Sequence, residues 1–475
     1  MTKTEKIIIW ANIIVVVMVA YFFLAADFDM AWEFNCILNI VNGKLPYKDF
    51  NIIVPPLYYY IMAVPVLFCK NIIGYKIAST IFSIILLYVI YNVIKLFNKK
   101  QPYLLLIPIV MLTFVVRAHY NTMVTLCGIT SGFFIIKYLR TNKKYFMILI
   151  GIFCACSILS KQSSGTVITF LIFFYLTIYL FKNKKIKDIL YIILPFIGIF
   201  LIFLLWLLTI DTLLDFVKFT FLGISSFSRS TLSAIFSGSW GIVISLIILI
   251  ILMILNIILN LKIKNKEILV LQIIALGNAA ASYPIPNLFH NIISIVPFLL
   301  TLILLLNQIM QEKIEIKNKH LVTCYFLITI CFVTAFTMYG IFNLNFYTGG
   351  ILKGGFVNDD CAKRTQDIIQ YEDKNSEYIL YSPEEGYTLH QLYKNKYVGK
   401  YLNTFLYGNL GTKDPVNVIK DYEGQENTYM YVYKNRKDCL TGQTPLSVID
   451  YIEENYELVD TTEFYKIYKV KGNIN

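Results

Sequence analysis

The residues with the capacity for chemistry in this 475-residue chain stand at the ends of long apolar runs, in alternate connections. Asp27, Asp29 and Glu33 follow the first run, and Asp49 lies in the same connection. Arg117 and His119 follow the third run, and Lys161 and Gln162 separate the fifth from the sixth with almost no loop. Arg229 lies in the long connection 210–239, and His290 precedes the tenth run. Ionisable groups at or near hydrocarbon depth are costly, which makes each a functional candidate. A carboxylate partly withdrawn from water is a better base than a solvated one, because burial favours its protonated form. Cationic side chains grip a dianionic leaving group through charge-assisted hydrogen bonds. The combination suits a transfer reaction. Asp27 or Asp29 would take a proton, and Lys161, Arg229, Arg117 and His290 would hold the departing anion. Glu33, Asp49, His119, Gln162 and Tyr58 would position the substrate.

Each of these residues also has a plainer reading. Asp27 and Asp29 suit the cap of a following helix, and Arg117 suits a snorkelling side chain. Lys161 sits in a tight turn among small residues, where snorkelling is harder. A histidine such as His290, at the end of Tyr283-Pro284-Ile285-Pro286-Asn287-Leu288-Phe289, is often simply satisfied at a helix end. The Tyr58–Tyr60 run suits a lipid or sugar groove, and it equally suits an interfacial belt, as do Trp10, Trp206 and Trp240. Asp27 and Asp29 with Asp49 form a set of hard oxygen ligands compatible with a divalent ion. The other set of connections holds only lysines, Arg140 and scattered acids, with no Gly-rich phosphate loop and no metal-spaced His/Cys cluster. Nucleotide donors are cytoplasmic, so no nucleotide cofactor is expected.

The elements that must position these groups are membrane helices. The chain is 57% hydrophobic and only 15% charged, with a mean hydropathy of +0.63, against about 25% charged in soluble domains. Runs of ~20 apolar residues cross ~30 Å of hydrocarbon. They fall at 7–25, 74–97, 102–118, 121–139, 145–160, 163–181, 189–209, 240–261, 268–286, 291–310 and 321–342, which predicts eleven spans. The first run lacks a small-residue cleavage site and reads as a retained span. The stretch 55–68 is apolar but short and interrupted by prolines, so a helix along or dipping into the membrane is expected there. Alternate connections, starting with the N-terminus, hold 19 Lys and Arg, and the opposite ones hold eight. Cytoplasmic loops carry the excess, so a cell-membrane protein with a cytoplasmic N-terminus and an extracytoplasmic tail is expected. The net charge of +12 divides into +16 before residue 343 and −4 after it. The surplus is therefore topogenic, and it excludes a nucleic-acid partner.

The expected architecture is an α-helical polytopic membrane domain over 1–342, with an outer loop at 26–73, and a small α/β domain over 343–475. In the tail, 361–374 and 446–454 read as helices, and 377–381, 429–433, 456–459 and 464–470 alternate like strands. Cys361 and Cys439 are the tail's two cysteines, and a disulfide and two free thiols both remain open. The other seven cysteines read as packing residues.

At the first outer loop the pattern becomes specific. Asp27-Phe28-Asp29-Met30-Ala31-Trp32-Glu33, then Gly43-Lys44-Leu45-Pro46-Tyr47-Lys48-Asp49-Phe50, then Pro55-Pro56-Leu57-Tyr58-Tyr59-Tyr60 resembles the signature loop of GT-C glycosyltransferases. Protein O-mannosyltransferases and lipid A aminoarabinose transferases are among these. Ser160-Lys161-Gln162-Ser163 resembles the bacterial members, and the likeness runs over about residues 1–170, more loosely through 283–297. The resemblance implies transfer of a sugar from a polyprenyl-phosphate donor, in the membrane lipid, to a protein, lipid or glycan acceptor on the outer face. It implies Asp29 as the base, with Asp27 two residues away, and it leaves metal dependence open. Many relatives carry Lys or Gly before the paired prolines, where this chain has Val54, so the carrier phosphate would need another cation. A lipid-linked-sugar flippase or transporter would place ionisable groups at helix midpoints in inverted repeats, and neither is visible. A surface-polysaccharide polymerase or ligase would use a lipid pyrophosphate donor and a larger outer loop.

Overall fold

In hydrocarbon every backbone amide must be satisfied within its own segment, so uncharged runs of Ile, Leu, Val and Phe become helices. The computed structural model describes residues 3–17, 20–21, 28–50, 52–97, 118–222, 240–282, 288–310, 345–346, 356–357, 363, 367, 377–380, 416, 428–434 and 446–469. The described helices are α1 (Lys3–Val17), α2 (Phe28–Val41), α3 (Leu57–Val66), α4 (Ile72–Phe97), α5 (Tyr120–Thr141), α6 (Tyr145–Ser160) and α7 (Gln162–Lys182). They continue with α8 (Leu190–Thr209), α9 (Leu213–Val217), α10 (Trp240–Ile263), α11 (Lys266–Asn278) and α12 (Leu288–Met310). Among them, six are long and apolar enough to cross a membrane: Ile72–Phe97, Tyr120–Thr141, Gln162–Lys182, Ile186–Thr209, Ile242–Ile263 and His290–Ile309. The chain is a mostly helical membrane protein with a small C-terminal sheet.

Those six match expected runs. Two other expected spans come out shorter. The run 145–160 forms the 16-residue α6. Of the run 268–286, the described part lies in the 13-residue α11 and one 3-10 turn at 279–282. At 1.5 Å per residue α11 is ~20 Å long, too short to cross the hydrocarbon alone. It is apolar for a different reason, since Ile268, Val270, Ile274 and Ala275 are buried against neighbouring helices. The runs 102–118 and 321–342 lie outside the described residues, and the first run is described over 3–17 and 20–21.

Packing sorts the spans. In α5, 78% of the apolar window is buried, whereas in α8 the figure is 6%, with Leu194, Leu201, Ile202, Leu205 and Leu208 exposed. So α5 is a central helix and α8 presents its sides to lipid. Glycines allow the closest crossings, as small residues do between membrane helices. A Cβ at Gly165 of α7 would collide with the Ser157 carbonyl of α6, and one at Gly277 of α11 would come within 2.8 Å of Ile168 Cα.

The helix ends segregate. Arg140 clamps Glu267 with Nε–Oε1 at 2.8 Å and Nη2–Oε2 at 2.5 Å, and its Nη1 donates to the Leu96 carbonyl at 3.1 Å. Lys144 pairs with Asp188 at 3.3 Å, Lys185 donates to Asn142 at 2.8 Å, and Asn265 donates to Gln308 at 3.0 Å. All of these residues border connections that the lysine alternation assigns to one side. The opposite ends of the same helices meet at the polar cluster described below.

In the tail, strands β3 (Glu377–Leu380), β4 (Thr428–Tyr433), β5 (Glu457–Thr461) and β6 (Tyr465–Lys469) form a sheet in the order β3-β4-β6-β5; a short β1 (Asn345–Phe346) pairs with β2 (Phe356–Val357). β3 runs parallel to β4, and the other two pairs are antiparallel. Helix α13 (Leu446–Asn455) buries Ile449 and Ile452, and the sheet buries Met430, Val432, Tyr465 and Ile467. β3 to β6 and α13 lie where alternation and helical periodicity placed them, whereas β1 and β2 were not expected. In the expected helix 361–374 only 363 and 367 are described, both helical, and Cys361 and Cys439 lie outside the described residues.

The two glycine environments give a paired test. Gly165→Ala should lower the apparent melting temperature in detergent, consistent with an overpacking cost of ~1–3 kcal/mol. Gly198→Ala in α8, where a Cβ would meet nothing within 4 Å, should leave it unchanged or slightly raised, since alanine favours helix by up to ~1 kcal/mol. Equal melting of the two variants would refute the close α6–α7 crossing.

Candidate functional site

Glu33, one turn and a half into α2, is fully buried. An isolated carboxylate in that position would be prohibitively costly, so donors must come to it. Tyr58 of α3 donates to Oε2 at 3.0 Å, and Tyr75 of α4 donates to the same oxygen at 3.1 Å. The other oxygen, Oε1, faces His119 Nε2 at 3.3 Å, with both side chains wholly buried. His119 is the N-cap of α5, where its Nδ1 accepts the Asn121 amide at 3.1 Å. A ring nitrogen that accepts carries no proton, so neutral His119 holds its proton on Nε2, towards Glu33. Thr122 completes a capping box by accepting the His119 amide at 2.9 Å. Burial first, and then the Glu33 charge, push the Tyr58 phenol well above its usual pKa, so it remains a donor. Four elements are tied through one carboxylate.

A cation stands beside this knot. Lys161 ends α6 and precedes α7 in extended conformation (φ −154°, ψ 119°). Its side chain is 7% exposed; Nζ donates to Asn121 Oδ1 at 2.6 Å and lies 5.6 Å from the centre of the Tyr120 ring. Tyr120 in turn packs edge-on against Tyr58 and Trp32. The bond to Asn121 joins the N-terminal turns of α5 and α7, whose amides carry partial positive charge. Gln162 Nε2 donates to the carbonyls of Ile53 at 3.0 Å and Thr220 at 2.7 Å, which fastens two connections to the start of α7. His290, half-buried in the first turn of α12, brings its ring centre to 6.1 Å from that of His119. Tyr59 Oη, Asn121 Nδ2 and Gln162 Oε1 are buried polar atoms here without a hydrogen-bond partner among the described residues. Such atoms suit a polar ligand or water.

The connection after α2 folds tightly. Tyr47 adopts φ +69°, its amide donates to Phe50 O at 2.8 Å, and its hydroxyl donates to Val54 O at 2.9 Å. Burial pushes the Tyr47 phenol far above its usual pKa, which keeps it protonated as that donor. Asp49 is exposed, and its Oδ2 accepts the Leu45 amide at 2.7 Å, bracing the turn. Val54 is 3% exposed and belongs to the packed core of this connection.

The structure thus brings Glu33, Tyr58, His119, Lys161, Gln162 and His290 into one cluster, and sets Asp49 in a neighbouring turn. Asp29 lies in the first turn of α2, four residues before Glu33. Asp27, Arg117 and Arg229 lie outside the described residues. Among the described residues no group of three or more His, Cys, Asp or Glu could hold a metal ion. Sequence reasoning missed Tyr75, Asn121 and Lys76. Lys76 is 1% exposed, with Nζ 5.4 Å from the centre of the Tyr21 ring. Tyr75 carries no local signal, because its partner is 42 residues away. His119-Tyr120-Asn121-Thr122 has the look of a helix start, which could have pointed to Asn121. No protein-family model matches the chain, and no curated protein matches it.

The knot predicts an order of stabilities. Glu33→Ala leaves two phenols and an imidazole facing a void and should cost ~3–5 kcal/mol. Glu33→Gln keeps the shape and an acceptor, and should cost less, ~1–3 kcal/mol. Apparent melting temperatures in detergent should fall as wild type, then Gln, then Ala; an Ala variant melting with wild type would dissolve the knot.

Proposed function

We propose that this protein is an integral-membrane glycosyltransferase of the GT-C type, moving a sugar from a polyprenyl-phosphate carrier to an acceptor hydroxyl on the outer face of the membrane. The observation that carries this reading is the junction of Lys161 with the N-termini of α5 and α7, beside the buried Glu33–His119 pair. A cation reinforced by two helix N-termini suits a phosphate. The Glu33 carboxylate is committed to Tyr58 and Tyr75, so it suits a positioning role rather than that of a base. The base is Asp29, one turn nearer the start of α2, with Asp27 as its neighbour.

In this mechanism the acceptor oxygen forms a bond to the anomeric carbon as its proton passes to Asp29. The bond from that carbon to the carrier phosphate breaks, and the dianion departs towards Lys161, with Arg117, Arg229 and His290 completing the cationic side. Val54 stands where many GT-C enzymes have Lys or Gly, and Lys161 takes over the phosphate contact. The same reading counts α11 with its 3-10 turn, together ~28 Å long, as one of eleven spans, and gives a cytoplasmic N-terminus and an extracytoplasmic domain over 343–475. The meeting of the lysine-bordered helix ends at one end of the bundle supports a common side for those connections.

Asp29→Asn should reduce transfer from a polyprenyl monophosphate sugar by about a hundredfold or more, the scale of a general base, with melting temperature unchanged. Near-normal transfer would move the base elsewhere. Turnover that requires a pyrophosphate-linked oligosaccharide would make the protein a polymerase or ligase. Flipping of a lipid-linked sugar without bond cleavage would make it a transporter.

A further inference from the structure

A second feature lies at the other end of the bundle. α1 and α4 enclose a groove of about 200 Å³, walled by Ile9 and Ile13 on one side and Ile84, Leu87 and Tyr88 on the other. Asn12 and Tyr91, both buried, form its floor. Ile7, Trp10 and Ile14 of α1 and Tyr88 of α4 are exposed, so the seam opens towards the lipid rather than into the bundle. On α4 the positions 84, 87, 88 and 91 share one helical face with Lys95, whose Nζ lies 5.9 Å from the centre of the Tyr91 ring. On α1, Lys6 is three residues before Ile9 and seven before Ile13, so it lies on the groove's face as well. Lys76 meets Tyr21 at one end of the seam, and residues 9–13 meet 84–91 further along it. The two helices are therefore antiparallel, and Lys6 is carried towards the turn of Tyr91 and Lys95. Both lysines are exposed.

We infer that this groove binds an acidic phospholipid of the bilayer, with one acyl chain between α1 and α4 and the headgroup between Lys6 and Lys95. An apolar slot in the side of a membrane bundle admits a hydrocarbon chain. Two cations at its mouth select an anionic headgroup over a zwitterionic one. The occupant is not the carrier of the proposed reaction. Tyr75 marks the candidate site on α4, and positions 84 to 91 are ~13–24 Å further along the helix at 1.5 Å per residue, with the lysine mouth beyond them. The groove therefore serves the leaflet opposite the candidate site, where positive connections and anionic lipids coincide. The inference does not depend on the glycosyltransferase reading.

The test uses the full chain purified in mild detergent, exchanged against phosphatidylglycerol or phosphatidylcholine, with retained lipid counted by native mass spectrometry. Wild type should retain one phosphatidylglycerol in preference to phosphatidylcholine by about tenfold or more, the scale expected of two lysines at a membrane surface. Lys6→Gln with Lys95→Gln should bring that preference close to unity. Lys182→Gln with Lys187→Gln, an equal charge change at exposed positions elsewhere, should keep it. Equal retention of the two lipids by wild type would overturn the inference, as would equal losses in both double variants. Displacement of the bound lipid by a polyprenyl phosphate at lower concentration than by phosphatidylglycerol would also overturn it, and would give the groove to the carrier.

Discussion

A carboxylate placed out of reach of water organises one end of this molecule. Glu33 is buried completely, and a charge in that position is tolerable only if the surrounding fold supplies donors. Those donors come from three other elements: Tyr58 of α3, Tyr75 of α4 and the imidazole of His119 at the start of α5. The connection between α2 and α4 therefore cannot behave as an independent surface loop. It is drawn into the core, where Tyr47, Phe50 and Val54 are buried with it.

The consequences pass outward from that carboxylate. His119 uses one nitrogen to face Glu33 and the other to cap α5, so the ring sets the direction in which α5 begins. The cap fixes Asn121 in the first turn, and Asn121 receives Lys161 from the α6–α7 junction. Lys161 reaches it because α6 and α7 cross closely at Gly165. Gln162, the next residue, then pins the carbonyls of Ile53 and Thr220. A charge that costs much to bury, a histidine that faces it while capping a helix and a lysine between two helix termini form one dependent chain. Placing a cation near helix N-termini is ordinarily unfavourable. It is tolerated here through the Asn121 oxygen and the Tyr120 ring, and an arriving anion would relieve it.

The rest of the bundle is organised by different terms. Helices such as α8 keep apolar side chains exposed around most of their surface, which only a lipid surrounding rewards. At the lysine-bordered end, the Arg140–Glu267 and Lys144–Asp188 pairs hold neighbouring helices in register. Exposed pairs of this kind are individually weak. Their value is geometric, since they bring together connections far apart in sequence. The α1–α4 groove lies at that end, away from the polar knot.

The amino-acid sequence by itself determined the long spans, because in hydrocarbon a backbone must close its hydrogen bonds locally and a sufficiently long apolar run has no other structure. It also marked the tail's strands and helix through their periodicities, and singled out Glu33, His119, Lys161, Gln162 and His290 as polar groups in costly places. Tertiary structure decided the remainder. The run 268–286 is as apolar as a span, yet its described part is the short α11 and one 3-10 turn, because burial against protein and burial in lipid leave the same composition. Asp49 stood out in the sequence as an acid in the first outer loop; that its carboxylate also braces a turn, by accepting the Leu45 amide four residues away, is visible only in the structure. Tyr75 carried no sequence signal, because a tyrosine in an apolar helix becomes meaningful only through what faces it. A local rule can place a charge near the membrane surface; only long-range packing can decide which groups come to meet it.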